Sequence, residues 1–425
     1  MSKALSVVRE RVLRIASQRV GKGYKYGAGP SKFDNIVIAM SSGVDSSLAA
    51  SLYSNYPKAR GIFMENWSQS LSMEDPSKEK CYEKDWKDVL KVGKHVNLPV
   101  ERINFEHDYW IDVFEPMLEQ YRAGTTPNPD VGCNKFIKFG SLRKHLDSLY
   151  GTGNYWLVTG HYAQVLQDAV TQETHLLRAF YKQKDQSYYL SQIPHCILPQ
   201  LLLPLGGLTK PEVREMARDL QLPTALKSDS QGICFVANSQ HGRFQKFLQE
   251  YLPAETGDVV TIDTTSGEKR TWGKHKGLWS YTIGQKIGIA MPQGDPQFKG
   301  QWFVSEKRMN TNEIVIVRGH ANPALYQNTL RVRQFEALGG NEIMQRLTSG
   351  SVSGLNLQYR SLQEPVAATA CEWNGKDLII SLPETQRAMA PGQYCCVYDG
   401  DRVLGSGTIE EAYSRDTDYP IRKQN

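Results

Sequence analysis

Residues 40–47 read Met-Ser-Ser-Gly-Val-Asp-Ser-Ser, between an apolar run, Ile36-Val37-Ile38-Ala39, and the stretch Leu48-Ala49-Ala50-Ser51-Leu52. That is the pattern of a buried strand, a tight turn and a helix start. Such a turn aims backbone N–H groups and the positive end of a helix dipole at one point, which suits phosphate. Small side chains let a phosphate approach, and the Ser hydroxyls add donors. Asp45 adds a carboxylate able to position a metal ion on phosphates. The Lys of a G-x-x-x-x-G-K-[ST] loop is missing. The plain alternative is a strand–turn–helix whose serines merely cap the helix.

Two further segments place a thiol in a polar loop. Residues 126–139 read Thr-Pro-Asn-Pro-Asp-Val-Gly-Cys-Asn-Lys-Phe-Ile-Lys-Phe. Pro127 and Pro129 stiffen the approach, and Asn128 and Asp130 form turns. Cys133 is expected to open a helix beside Lys135 and Lys138, a setting that favours thiolate. Residues 227–236 read Lys-Ser-Asp-Ser-Gln-Gly-Ile-Cys-Phe-Val, so Cys234 follows a polar, Gly-containing loop. For both thiols the loop context leaves a reactive and a merely buried reading equally open. Cys81, Cys196, Cys371, Cys395 and Cys396 read as small buried hydrophobes.

These groups need a frame to hold them. From Asn35 to about Leu208 strands alternate with helices: strands at 35–40, 59–64, 100–105, 156–159 and 175–178, helices at 46–56, 82–96 and 109–121. This alternation predicts a mainly parallel, doubly wound α/β sheet. Ligands then lie beyond the carboxyl ends of the strands, where the 41–47 loop and Gly160-His161-Tyr162 both fall. A helix at 210–220 begins Lys-Pro-Glu, with Pro in its first turn. After Cys234 a short helix, 244–251, gives way to short strands near 258–262, 302–305, 313–317, 329–333, 356–359, 367–371, 378–381, 393–398 and 402–408. Their spacing predicts a sandwich or barrel. The expected divisions are 1–33, 34–245, 246–310 and 311–425.

The chain has 425 residues, 40% hydrophobic and 22% charged, the composition of a globular protein of two or three domains. No apolar run approaches the ~20 residues that span a bilayer, so no membrane partner is expected. A net charge of +5 permits an acidic partner such as RNA without requiring one. Seven Cys, with no C-x-x-C, argue for a reducing compartment and against a tightly bound metal cluster. Before Asp34 stand Lys3, Arg9, Arg11, Arg14, Arg19, Lys22, Lys25 and Lys32 against one acid, Glu10. With Leu5, Val8, Val12, Ile15 and Val20 on one helical face, the segment resembles a mitochondrial transit peptide. A basic arm that touches RNA is the alternative.

The 41–46 loop resembles the S-G-G-x-D-S loop of the PP-loop ATP pyrophosphatases, with Ser42 where that family usually has its first Gly. The wider series is 126–135, Gly160-His161-Tyr162, Lys184-Asp185-Gln186-Ser187-Tyr188 and Ser228-Asp-Ser-Gln-Gly-Ile-Cys234-Phe235. It continues through Gly273-Lys-His275-Lys-Gly277, Thr282-Ile-Gly284-Gln285, Arg318-Gly319-His320 and Pro391-Gly392-Gln393. In this order the segments resemble the tRNA-specific 2-thiouridylases over nearly everything after Asp34.

The resemblance implies a PP-loop domain, a small central domain that contacts tRNA and a C-terminal β-barrel. It implies ATP-dependent 2-thiolation of the wobble uridine. ATP adenylates the C2 oxygen, and a persulfide sulfur displaces AMP. By likeness Cys234 carries the persulfide and Cys133 assists its release. ATP would be bound by Ala39, Met40, Ser41, Ser42, Gly43, Val44, Asp45, Ser46, Met64 and Gly160, with Mg²⁺ on Asp45. Asn128, Pro129 and Asp130 would contact the target base. His161, Lys184, Asp185, Gln186, Gln358, Tyr359 and Gln393 would contact tRNA. Gln358 stands where the family has Arg, with Arg360 nearby. The likeness further implies tRNAs for Lys, Glu and Gln, a cysteine-desulfurase sulfur source and the mitochondrial matrix. Competing readings are a PP-loop synthetase acting on a small metabolite, which leaves both cysteine loops without a task, and a non-catalytic RNA-binding scaffold.

Overall fold

The computed structural model describes residues 2–67, 81–229, 241–292 and 294–414. Cys234 and its neighbours 230–240 lie outside them. The chain divides into two compact units, neither made of one continuous stretch. Unit 1 takes residues 1–114, 129–244 and 399–405; unit 2 takes 115–128, 245–398 and 406–425.

Unit 1 opens with helix α1 (Ser2–Gln18), then β1 (Asn35–Met40), α2 (Val44–Tyr53), β2 (Ala59–Glu65), α3 (Cys81–Val96) and β3 (Val100–Asn104). After α4 (Leu142–Tyr150) come β4 (Tyr155–Val158), β5 (Ala163–Asp168), β6 (Thr174–Arg178), β7 (Leu201–Leu202) and α5 (Lys210–Asp219). Five strands form one parallel sheet in the order β3-β2-β1-β4-β7. Ile36, Val37 and Ile38 are fully buried, as a strand covered on both faces requires. The chain runs outward from β1 through β2 to β3, then returns to the other side of β1 as β4. The strand order therefore reverses between β1 and β4, and a crevice opens at their carboxyl ends.

The α/β expectation holds, with one departure. Residues 175–178 were expected to continue the parallel alternation. They pair antiparallel with β5 instead, in register from Ala163↔Arg178 to Gln167↔Thr174. The reason is local. The Asp168 carboxylate accepts from the N–H groups of Val170 and Thr171, and Gln172 takes a positive φ of 63°. These features close a hairpin rather than feed a crossover. The outer edge of β6 is met by the distant Arg402, opposite Leu177, and the Arg178 N–H donates to the Asp401 carbonyl at 2.8 Å.

The basic N-terminal segment is a docked helix. Val8, Val12 and Ala16 of α1 are buried, and Val8 and Val12 join the cluster that holds Leu48, Leu205, Leu208, Val213 and Met216. Arg11 pairs with Glu215 at 2.8 Å. Arg19 grips Glu212 with both guanidinium nitrogens at 2.8 and 2.9 Å and donates to the Gly207 carbonyl at 2.9 Å. The hydrogen bonds from Arg19 hold the Glu212 carboxyl down to about 2. Glu212 belongs to a capping box with Thr209 that starts α5. Basic residues thus read as a leader are also structural cations. Deleting residues 2–19 is expected to destabilise unit 1 by about 3 kcal/mol or more, from the apolar area uncovered on α2 and α5. The Arg19–Glu212 contribution, of the order of 2 kcal/mol, is complete above the unfolded carboxyl value near 4.5 and disappears as pH falls towards 2. Urea melts of both proteins at pH 7 and pH 3 check this; equal stability at pH 7 would overturn the assignment.

Unit 2 holds the short strands. Five form a sheet in the order Lys269–His275, Gly257–Ile262, Glu313–Arg318, Trp302–Arg308, Lys286–Ile287, over a core that includes Val259, Trp302, Val304, Ile314 and Ile316. The strand Lys269–His275 had no place in the sequence reading. It ends at His275, fully buried, whose Nε2 donates to the Asn312 carbonyl at 3.0 Å and whose Nδ1 accepts from the Gly277 N–H. That histidine is a neutral structural bracket between strands. Beyond it, Tyr326–Ala337, Leu378–Arg387 and Ala370–Trp373 pair antiparallel.

Candidate active site

The 41–47 turn sits at the carboxyl end of β1, at the crevice. Serine side chains fix its shape from inside. Ser46 Oγ accepts from the Ser41 N–H at 3.1 Å and lies 2.8 Å from the Ser41 carbonyl; Ser47 Oγ donates to the Gly43 carbonyl at 2.8 Å. Ala39, Met40 and Val44 are buried, which leaves chiefly their backbone to a ligand. Ser42, in the place of the family's glycine, is 6% exposed, and its hydroxyl donates to Asp85 on α3. The departure from glycine thus gains a hydrogen bond that ties the turn to a neighbouring helix. Met64, at the end of β2, is half-buried.

Gly160, next to the end of β4, closes the other side of the crevice. A Cβ there would lie 2.8 Å from the Ser46 nitrogen and 2.9 Å from the Asp45 carbonyl carbon. Only glycine lets the end of β4 and the start of α2 come this close. Asp45, at the start of α2, accepts from Tyr162 Oη at 2.8 Å and from Lys210 Nζ at 2.8 and 2.7 Å. Burial, and then the Asp45 charge, push the Tyr162 phenol far above its ordinary value, so it stays a neutral donor.

Cys133 does not open a helix. The helical run starts at Pro129, and Cys133 begins its π-helical part, Cys133–Ser141, one turn further on. Pro129 at the first turn explains the earlier start, because its ring presets the helical φ and its missing N–H costs nothing there. Cys133 is 4% exposed, with Asn66 Nδ2 at 4.0 Å from its sulfur. Lys135 reaches Gln192 at 3.0 Å, and Lys138 lies 3.4 Å from His161 Nε2. Burial raises the Asp130 carboxyl above the usual carboxylate range, with Lys138 opposing. Cys371, Cys395 and Cys396 are buried, and burial pushes the Cys371 thiol to about 11 and Cys395 well up, which makes both inert. Cys196, read as buried, is exposed.

His161 is 9% exposed, and its Nδ1 lies 2.7 Å from Thr159 Oγ1. Burial, with Lys138 beside it, holds its pKa well below the ordinary value, so it is neutral at pH 7. Asp185 is 4% exposed and spent on Arg178, the Ala179 N–H and Ser187. Gln186 Oε1 accepts from the Tyr162 N–H at 2.9 Å. Of this triplet only Lys184 keeps substantial exposure, and it pairs with Asp229 at 2.8 Å. In unit 2, Gln393 Nε2 donates to the Thr126 carbonyl at 2.7 Å, and Asn128 Nδ2 lies 3.5 Å from Gln393 Oε1. Gln358 and Tyr359 are 2% and 5% exposed; Gln358 accepts from Tyr398 Oη and Tyr359 donates to Gln386. Their side chains therefore face the interior of unit 2. Arg360 is the exposed cation there.

The sequence reading missed Tyr162, Lys210, Arg214 and Asp229 as a group. Lys210 had one legible sign: a Thr-Lys-Pro-Glu helix start shortly after β7, on the ligand side of the sheet.

A parallel sheet with a serine-rich phosphate turn at its switch point defines a nucleotide-binding α/β protein. Three family models match the chain in succession: the tRNA methyl transferase HUP domain over residues 34–238, the tRNA methyl transferase PRC-barrel domain over 245–318 and the aminomethyltransferase beta-barrel domain over 327–409. The chain is 57% identical over 413 residues to the mitochondrial tRNA-specific 2-thiouridylase 1 of Saccharomyces cerevisiae, covering 96% of this chain and 99% of the relative. It is 37% identical to the tRNA-specific 2-thiouridylase MnmA of Levilactobacillus brevis, covering 91% and 98%. The MnmA of Staphylococcus carnosus is 38% identical, covering 89% and 95%. The chain belongs to the tRNA-specific 2-thiouridylase family. Among the described residues no helix is long and apolar enough to cross a membrane.

Proposed function

We propose that this protein is a mitochondrial tRNA-uridine 2-sulfurtransferase that thiolates the wobble uridine with ATP. The observation that carries this reading is the 41–47 turn at the sheet's switch point, closed by Gly160, in the same unit as the Cys133 helix. The uridine C2 oxygen attacks the α-phosphorus of ATP and pyrophosphate leaves. A poor leaving group, an amide-like oxygen, becomes a good one, AMP. The terminal sulfur of a persulfide on Cys234 then attacks C2 and displaces AMP. The Cys133 thiolate attacks Cys234 Sγ, which frees 2-thiouridine and leaves a Cys133–Cys234 disulfide. An external thiol reductant restores both thiols by exchange.

Asp45 is the carboxylate that would hold Mg²⁺ against the phosphates, a metal that arrives with the nucleotide. Asn128, Pro129 and Asp130 would meet the base, which must leave the anticodon stack to react. His161, Lys184 and Gln393 remain the proposed tRNA contacts, with Arg360 taking the part expected of Gln358 and Tyr359. The substrates would be tRNAs for Lys, Glu and Gln, and the sulfur would come from a cysteine desulfurase. Residues 1–33 would direct the chain to the matrix; a reporter fused behind them that stayed in the cytosol would remove that assignment. The central test is AMP release from ATP with and without tRNA, followed by mass analysis of the tRNA nucleosides. AMP release that depends on tRNA, together with 2-thiouridine, is the expected result. ATP turnover indifferent to tRNA would overturn the reading.

A further inference from the structure

The phosphate-accepting turn has no lysine of its own, yet a lysine from another helix reaches it. Lys210 opens α5, and its Nζ contacts both Asp45 carboxylate oxygens at 2.8 and 2.7 Å and Asp229 at 3.0 Å. All three contacts of this ammonium are to carboxylate oxygens, two of them on Asp45, so a phosphate oxygen would take the place of one Asp45 contact while Asp229 and the other hold the lysine. The Lys210 side chain is 9% exposed, and a buried ammonium is retained only among charged partners. Asp229 also accepts from Lys184 at 2.8 Å and from Arg214. Burial works against its ionisation, but the hydrogen bonds from Lys184 and Lys210 hold its carboxyl down to about 2. Three cations therefore bond to two carboxylates, Asp45 and Asp229, so the cluster as a whole keeps an excess positive charge, and Lys210 is the member that meets Asp45 at the start of α2. Gly43 precedes that helix without a side-chain cap, so its first N–H groups point the same way. A cation in excess beside such a helix start is suited to a polyphosphate rather than to a single carboxylate.

We propose that Lys210 is the phosphate-binding cation of this site, placed from outside the turn to contact the β- and γ-phosphates of ATP and the pyrophosphate product, with Asp45 and Asp229 aligning its ammonium. The proposal rests on the PP-loop reading above and deepens it: preference for a triphosphate over a monophosphate resides in α5, not in the 41–47 turn. Tyr162, stacked under the ammonium at 5.7 Å and bonded to Asp45, fixes the approach from the third side.

The test measures binding of ATP, inorganic pyrophosphate and AMP to the full-length protein without tRNA, for wild type, Lys210→Ala and Lys210→Arg. In Lys210→Ala the affinities for ATP and pyrophosphate are expected to fall about 10- to 100-fold, the loss of one charge-assisted contact, while AMP changes by about twofold or less. Lys210→Arg should recover most of the pyrophosphate affinity. Unchanged ATP and pyrophosphate binding in Lys210→Ala would overturn the proposal. So would an equal loss for AMP, the sign of a merely structural ion pair. If Lys210→Ala does not fold, the pyrophosphate-to-AMP ratio in Lys210→Met serves the same comparison. A wild-type protein that binds ATP but releases no AMP with tRNA would defeat the functional reading and leave the Lys210 ratio standing.

Discussion

Cys234→Ser and Cys133→Ser proteins are each expected to lose 2-thiouridine formation by roughly three orders of magnitude or more, as removal of a covalent group does, but to stop at different stages. Cys234→Ser should acquire no persulfide from a desulfurase. Cys133→Ser should accept sulfur on Cys234, release AMP once and then stall with the tRNA held through C2–S–S–Cys234. Both should bind tRNA nearly as well as wild type, since phosphate contacts supply most of the affinity. Persulfide labelling after incubation with desulfurase decides the order. Label on Cys133 in the absence of Cys234 would reverse the two roles, and full activity in either variant would end the two-thiol scheme. Cys395 is a fitting control: it is fully buried and burial keeps its thiol protonated, so Cys395→Ala should retain thiolation.

Gly160→Ala is expected to cost ATP affinity about tenfold or more while the chain still folds. The added Cβ meets backbone on the far side, the Ser46 nitrogen at 2.8 Å and the Asp45 carbonyl carbon at 2.9 Å. No side chain can rotate out of the way, so the start of α2 must move against β4. Overpacking of this kind costs about 1–3 kcal/mol, and here the strain falls on the turn proposed to receive phosphate. Gly29→Ala, where an added Cβ has nothing within 4 Å, should leave both ATP binding and the melting curve unchanged. Equal ATP affinity in Gly160→Ala and wild type would show that this contact does not shape the site.

The parallel sheet was legible because β1 is an unbroken apolar run and the turn after it is dense in Ser and Gly. Periodicity and turn chemistry agree there. The hairpin β5–β6 was misplaced because its first strand, Ala163–Asp168, is half polar and was not read as a strand, which left 175–178 to look like the next strand of the alternation. The deciding signal is one Asp168 side chain folding back on its own turn. At the site, the loop residues were readable from type and spacing. The cluster of Lys210, Arg214 and Asp229 with Asp45 was not, since long-range ion pairs leave no periodic trace. Gln358 and Tyr359 show the converse limit: matched position says nothing about burial, and Gln358 at the end of its strand and Tyr359 just after it are both covered. The N-terminal helix shows that composition alone does not separate a leader from a docked helix. Arginines that make a segment look like a leader also reach Glu212 and Glu215 of α5.

The return of residues 399–405 into unit 1 carries a consequence for how the molecule is made. A ribosome delivers the chain from its N-terminus, so Leu177 and Arg178 emerge long before Arg402 and Asp401. Throughout that interval the outer edge of β6 displays its backbone donors and acceptors with the native partner still to come. Exposed edges of this kind recruit foreign strands, and contacts spanning more than half a chain form late. Nascent unit 1 is thus an aggregation-sensitive species that only the arrival of residues 399–405 can close, and a chain shortened before residue 399 forfeits that closure however intact its 41–47 turn.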